Sequence, residues 1–494
     1  MGRLSYIYDS ISGPIEYVYS DTGCSTCGGA AVDKVVQEIT PLGSISYTYD
    51  ALGRRTSMQV AGQPAVNYQY DPAGRLMKIS TPSPLWGEGG GEGLTFTFTY
   101  DALGRRTSLT YPNGVTTTYT YDKASRLLSL EHLNPLNQIL EKIGYTYDKN
   151  GNRTSMDMLN VAPKLPTPVV SATYNEANQM LTFQPEGDVE WSITYDENGN
   201  LTSITNSCGT TTYTWDARNR LVGIEGFTAD CSPLTAHFKY DALGRRIEKT
   251  INGRTIQYLY DGLDIVQEIE DGMVMVNYIR TLNIDEPLAR IKSDGTIRYY
   301  HADALGSIIA LTDETGNVRT QYNYSPFGET EILGEMSDNP FQYTGRENDR
   351  TGLYYYRFRY YSPYLKRFIS EDPIGLLGGD VNYYVYVWNS PITYIDPNGL
   401  LGWDTIVKWL AKQAGKRIAK KIIPDKGLNM PYEGDDDKDG VPNYMDPDSK
   451  YCRVNCTPPQ HPQPPQPPQP PQPPQSQPPQ SPSDNTPQCK TGKR

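Results

Sequence analysis

The dipeptide Tyr-Asp recurs through the first half of this chain at a near-constant spacing, and no other feature restricts the fold as much. It stands at Tyr8-Asp9, Tyr49-Asp50, Tyr70-Asp71, Tyr100-Asp101, Tyr121-Asp122, Tyr147-Asp148, Tyr195-Asp196, Tyr240-Asp241 and Tyr260-Asp261, with Tyr174-Asn175 and Trp215-Asp216 as variants. From residue 50 onward most steps are 20 to 27 residues, too short for a propeller blade and right for one hairpin. In Tyr47-Thr48-Tyr49 the aromatic rings fall on one face of a strand and Thr on the other. Asp50-Ala51-Leu52-Gly53 then reads as a type I turn, with Asp accepting backbone N–H groups and Gly taking the left-handed site that follows. Across nine units that last position reads Gly53, Gly74, Gly104, Ser125, Gly151, Asn178, Gly199, Asn219 and Gly244; all but Ser125 are the residues that best tolerate positive φ. Arg54, Arg75, Arg105, Arg126, Arg220 and Arg245 follow directly, where a cationic stem covers a neighbouring Tyr ring.

About ten such hairpins give roughly 20 strands and a ribbon on the order of 95 Å wide, which must curl. The excess of Tyr over Phe, 39 against 9, suits a face that packs rings yet meets water, as the lining of a hollow does. The expected fold class is therefore all-β: repeated hairpins curled into a spiral sheet or partial shell, followed by a short α-helix, a calcium-type loop and a disordered Pro-rich tail.

Charge divides the chain near residue 400. Residues 1–400 carry 32 Lys+Arg against 47 Asp+Glu, and residues 401–494 carry 13 against 10. The acidic body argues against nucleic-acid binding. No apolar run reaches membrane-spanning length and the first residues lack a signal-peptide pattern, so neither a span nor an ordinary export leader is expected. Cys24 and Cys27 form one CxxC with no second, and the His are scattered, so the seven cysteines read as free or locally paired thiols rather than a zinc set.

The turn is written YDALGRR at 49–55, 100–106 and 240–246, and residues 299–400 contain YYHADALGSIIALTDETGNV, YNYSPFGE, FQYTGREND, RTGLYYYRFRYYSPYLKRFISEDPIGLLGG and NYYVYVWNSPITYIDPNGL. These segments resemble the YD repeats of RHS (rearrangement hotspot) and teneurin-type proteins, and residues 299–400 are similar to the RHS-associated core domain almost end to end. The resemblance divides the body into a YD-repeat region 1–298 and a core 299–400; the residues that follow read by their own spacing and composition as an amphipathic helix 401–424, a calcium-type loop 425–452 and a Pro/Gln-rich tail 453–494. It implies a β-shell that encloses a variable C-terminal segment, commonly a toxin, and a core that ends in an autoproteolytic site. Matched to this sequence, Asp372 and Asp396 of two Asp-Pro elements, with Arg367, are the implied site residues, and cleavage falls after Leu400. The chemistry needs two carboxylates brought close, so that one is protonated and the other ionised and they divide the acid and base roles. Taken alone, each Asp-Pro pair reads as a turn. One cleavage is one turnover, so any enzymatic activity expected here is self-processing. The implied partners are the chain's own C-terminal segment inside the shell, a secretion apparatus or an immunity protein, in an extracellular or cell-surface setting.

In residues 403–423, Trp403, Ile406, Val407, Leu410, Ala414, Ile418 and Ile422 follow helical spacing while Lys408, Lys412, Lys416 and Lys420 stack on another face. Such a helix packs against the acidic body or lies on an anionic membrane surface. Asp435, Asp437, Asp439, Asn443 and Asp446 occupy the oxygen-donor positions of a calcium loop, with Gly440 at the sharp turn. The tail repeats Pro-Pro-Gln, a polyproline or disordered spacer. These features keep a second reading open: a non-catalytic surface protein that binds a ligand such as carbohydrate and carries a calcium-binding stalk.

Overall fold

A computed structural model of the chain describes residues 4–20, 34–82 and 93–400. The expected helix at 403–423, the calcium-type loop and the Pro-rich tail lie outside the described residues. Two antiparallel meanders dominate. One has 13 strands, from Tyr6–Asp9 to Arg153–Met158, and the other has 16, from Val169–Tyr174 to Thr330–Gly334. Strand order equals chain order in both, and the end strands do not pair with each other, so neither closes into a barrel. The second sheet runs through residue 299 without a break. A third, small sheet joins Glu347–Asn348, Tyr354–Tyr356, Arg359–Ser362 and Arg367–Phe368. Among the described residues the all-β expectation holds.

The Tyr-Asp unit is a hydrogen-bonded clamp between successive hairpins. Asp50 Oδ1 accepts the N–H groups of Leu52 and Arg54, both at 2.9 Å, and Oδ2 accepts Arg54 Nε at 2.6 Å. The same pattern recurs at Asp101, Asp122, Asp216 and Asp241. Each arginine then reaches forward. Arg75 lies over the Tyr100 ring at 4.9 Å and donates to the Asp101 carbonyl at 3.0 Å; Arg105 repeats this on Tyr121 and Asp122. Each Tyr reaches back: the hydroxyls of Tyr70, Tyr121 and Tyr260 donate to the carbonyls of Arg55, Arg106 and Arg246 in the preceding return strand. Tyr is therefore preferred to Phe for a local reason, the carbonyl its hydroxyl satisfies. The fourth turn residue is left-handed throughout, including Ser125 at φ 64°.

Every such hairpin from Tyr49-Asp50 onward also holds one extra residue in its return strand, whereas Tyr8-Asp9 pairs without a shift. Thr48 pairs with Ser57 but Tyr49 with Arg55, and the shift recurs at Tyr70, Tyr100, Tyr121, Tyr147, Tyr240 and Tyr260. Repeated bulges increase twist at each turn, which is what bends a wide ribbon.

The bend lets the first sheet cover the later half of the second. Leu259, Ile279, Ala289, Ile291 and Tyr299 pack with Ile45, Phe96 and Leu109 of the first sheet. Their neighbours Tyr258, Tyr260, Val276, Tyr278 and Tyr300 point the other way and pack with Phe341. Strands Asp264–Glu270 and Pro287–Lys292 are consequently buried on both faces. The earlier half of the second sheet packs Phe183, Leu221 and Phe238 against Leu353, Tyr360 and Ile369. The segment from Phe341 onward thus sits on the second sheet, which positions the site described next. Cys208 and Cys231, in neighbouring hairpin loops, are joined as a disulfide.

The turn aspartates make stability acid-sensitive. Hydrogen bonding from the Arg75 backbone, and from the Arg126 backbone, holds Asp71 and Asp122 below the ordinary aspartate value of 3.8. An aspartate depressed in the fold stabilises it above the unfolded value, and that contribution is lost as pH falls through the folded one. The unfolding midpoint should therefore drop as pH falls below 3.8, and Asp71→Asn with Asp122→Asn should flatten that dependence in thermal melts across pH.

Candidate functional site

Two turns bring the Asp-Pro elements together. Asp372 donates its N–H to the Tyr383 carbonyl at 3.1 Å, its Oδ1 accepts the Ile374 N–H at 3.0 Å, and Gly375 N–H closes the turn on its carbonyl. Asp396 repeats the geometry: Oδ1 accepts the Leu400 N–H at 2.9 Å, and Gly399 N–H reaches its carbonyl at 3.3 Å. The turn reading and the site reading are thus compatible, since the turns are what aim the carboxyl groups. Both aspartates are buried.

Arg359 stands between them. Its Nη2 lies 2.9 Å from Asp372 Oδ2 and 3.6 Å from Asp396 Oδ2. Nη1 donates to the Tyr383 carbonyl at 2.8 Å, Nε donates to the Gly399 carbonyl, and the guanidinium lies 3.6 Å from the centre of the Phe368 ring. Gly399 has φ +69°, and a Cβ there would come within 2.7 Å of the Tyr356 carbonyl oxygen. Only glycine lets the chain lie so close. Leu400 is buried against Ile374 and Phe358. The peptide before the expected cut is therefore held by its N–H, by the preceding carbonyl and by its side chain.

Burial raises Asp396 to about 6; Arg359 and the Leu400 N–H oppose this, and the neighbouring Asp372 adds to it. The same burial pulls the Arg359 guanidinium below its ordinary value, against the attraction of Asp372 and Asp396. A buried acid that holds its proton to about pH 6, beside a second carboxylate with an arginine counter-ion, is an arrangement able to donate one proton and accept another.

Of the residues expected from sequence, Asp372, Asp396 and Leu400 come together and Arg367 does not. Arg367 lies over the rings of Tyr174 and Tyr384, with Nη2 3.4 Å from Asn382 Oδ1. The cation at the paired aspartates is Arg359. In the run Tyr355-Tyr356-Arg357-Phe358-Arg359-Tyr360 nothing local distinguishes Arg359 from its neighbours; its role appears only when Asp372 and Asp396 fold onto it. Among the described residues no group of three or more His, Cys, Asp or Glu is placed to hold a metal ion, and no helix is long and apolar enough to cross a membrane. The calcium-loop residues Asp435, Asp437, Asp439, Asn443 and Asp446 lie outside the described residues.

Bulged Tyr-Asp hairpins, layered sheets and a core that ends in two facing aspartates define a hairpin-repeat β-shell protein. A model of the teneurin YD-shell family matches residues 31–130 and 89–377. The chain belongs to that family, as an RHS/YD-shell protein. Among curated relatives, "tRNA nuclease WapA" of Bacillus subtilis (strain 168) is 36% identical over 285 residues, 54% of this chain and 12% of that protein. "Double-stranded DNA deaminase toxin A" of Burkholderia cenocepacia (strain H111) is 30% identical over 399 residues, 72% of this chain and 24% of the relative. "Toxin subunit YenC2" of Yersinia entomophaga is 27% identical over 494 residues, 79% of this chain and 50% of the relative. The chain thus spans half or less of the length of each. The crystal structure of TcdB2-TccC3-Cdc42 superposes with a TM-score of 0.59 at 20% identity, over 81% of this chain and 24% of that one, which establishes likeness of fold.

Proposed function

We propose that this chain is the shell and core of an RHS-type toxin protein that cuts itself after Leu400 and so frees residues 401–494. The observation that carries the reading is the meeting of Asp372 and Asp396 at Arg359, with Arg359 and Asp396 also holding the Gly399-Leu400 peptide. Its relatives named as toxins, nucleases and toxin subunits support the same class, together with an extracellular or surface setting and toxin-complex partners. In this reading one aspartate takes a proton from water as the water oxygen bonds to the Leu400 carbonyl carbon. Arg359, whose guanidinium already holds the carbonyl of Gly399 one residue earlier, is the cation available to offset the developing oxyanion. The other aspartate, Asp396, gives its proton to the departing amine of Leu401 as the C–N bond breaks. Intact mass measurement of the purified chain tests this: the expected result is a fragment ending at Leu400 with a separate 401–494 piece, and a single full-length mass overturns it.

The freed piece carries the calcium-type loop. Titration of residues 425–452 by calorimetry is expected to show Ca²⁺ binding at millimolar or tighter affinity, as for extracellular calcium modules. No heat at millimolar Ca²⁺ refutes that assignment.

A further inference from the structure

A second arginine touches the segment before the cut, and it belongs to a buried network that reaches the second sheet. Arg357 Nη1 donates to the carbonyl of Pro397, one residue after Asp396. The same guanidinium holds Asp285 through two bonds, Nη1 to Oδ2 at 2.9 Å and Nη2 to Oδ1 at 2.7 Å. Nη2 also lies 3.2 Å from Asp264 Oδ1, and Nε donates to the Leu263 carbonyl at 3.3 Å. Asp285 is in turn bound by Arg346, and Asp264 by Arg280 at 3.1 Å. Asp264 opens strand Asp264–Glu270 and Asp285 lies in the connection just before strand Pro287–Lys292, and the Asp285 N–H donates to Asp264 Oδ1 at 3.3 Å. Arg357 itself has φ +62°, a left-handed conformation that a side chain adopts only when its surroundings hold it. All nitrogens of one planar fork are therefore used, and one of their partners is the backbone of the cut segment.

We infer that Arg357, oriented by Asp285 and Asp264, is a positioning residue that sets the register of residues 397–400 over Asp372, Asp396 and Arg359, so that cleavage proceeds only once the second sheet has closed on the core. The inference rests on the cleavage reading above. Its geometry is the reason: Asp396 and Arg359 grip residues 399 and 400, whereas among the described residues it is Arg357 that ties residue 397 to a different layer. An ångström-scale displacement of the reacting peptide slows a positioned reaction on the order of 10- to 100-fold.

The test follows cleavage of the full chain during refolding, by intact mass, with the folded fraction measured in parallel by near-ultraviolet circular dichroism. Arg357→Met is expected to lower the first-order rate on the order of 10-fold or more per folded molecule and to spread the new C-termini over bonds beside Leu400. Arg357→Lys, which keeps a cation against Asp285 and Asp264 and one donor for Pro397, should restore a single end at Leu400. Loss of stability alone changes yield, not the position of the cut. Asp285→Asn, nearly isosteric, serves as the second variant should Arg357→Met fail to fold, with the same expected loss. Folded variants that cut only after Leu400, within about twofold of the wild-type rate, overturn the inference while leaving the cleavage reading intact. A wild-type chain that stays whole overturns both.

Discussion

On the proposed mechanism the wild type is expected to divide after Leu400, and Asp396→Asn and Asp372→Asn should each leave the chain at full length. Both substitutions preserve size and leave an oxygen able to accept the turn N–H groups of Leu400 and Ile374, so the turns survive while the proton-carrying groups are lost. Removing a general acid or base typically lowers a rate 10²- to 10⁴-fold, enough to turn a complete reaction into an undetectable one during purification. The pH dependence carries the assignment of roles. Asp396 holds its proton to about 6, so as the donor it should support cleavage below that pH and lose it as pH rises above. A rate that climbs steadily through pH 6 to 8 would instead make Asp396 the base.

The same group predicts an opposite sign for stability. An aspartate raised from 3.8 to about 6 binds a proton in the fold that the unfolded chain has released. Stability therefore falls as pH rises between those values and stays lower above them. Asp396→Asn removes that burden, and on this account the variant should be more stable than the uncut wild type near neutral pH, by up to about 3 kcal/mol. Loss of cleavage together with a gain in melting temperature separates a functional aspartate from a merely structural one.

The largest loss of stability is expected at Arg246. Its side chain is completely buried, with Nη2 2.7 Å from Glu347 Oε2 and 2.9 Å from Asp349 Oδ1, Nη1 on Asp349 Oδ2, and its guanidinium 4.2 Å from the Tyr355 ring centre. It joins strand Arg246–Ile251 of the second sheet to the start of the segment that carries the site. Arg246→Met keeps much of the volume but leaves Glu347 and Asp349 buried, with Lys249 at 3.2 Å on Asp349 and Arg346 at 3.8 Å on Glu347 as the remaining cations. Breaking a buried pair from one side destabilises by about 3–5 kcal/mol, and denaturant or thermal unfolding should register it directly. Adding Glu347→Gln and Asp349→Asn to Arg246→Met should recover a large part of the loss, because the penalty lies in the stranded charges rather than in the missing bonds.

Arg246 also explains the doubled arginine of YDALGRR. In each copy the first arginine, Arg54, Arg105 or Arg245, closes on the aspartate of its own turn. The second leaves the hairpin: Arg55 pairs with Asp261, Arg106 with Glu286 and Arg246 with Glu347 and Asp349. The three motifs are identical in sequence, yet their outer partners differ and lie between 101 and 206 residues away.

The sequence alone determined what repeats. Tyr-Asp spacing, the left-handed fourth position and the alternating strands are local: each depends on steric and hydrogen-bonding preferences within some ten residues, and those are fully written in the chain. The meander, the turn type and the Arg-over-Tyr contact were all legible for that reason. Asp372, Asp396 and Leu400 were legible too, through the resemblance of the core segment. Which arginine serves them was not. Arg357, Arg359 and Arg367 are chemically alike, and only the closure of two turns onto the third sheet put Arg359 between the aspartates, Arg357 on Pro397 and Arg367 among the rings of Tyr174 and Tyr384. Charge pairing in a buried layer depends on which surfaces meet, and that is decided by long-range packing rather than by any local preference.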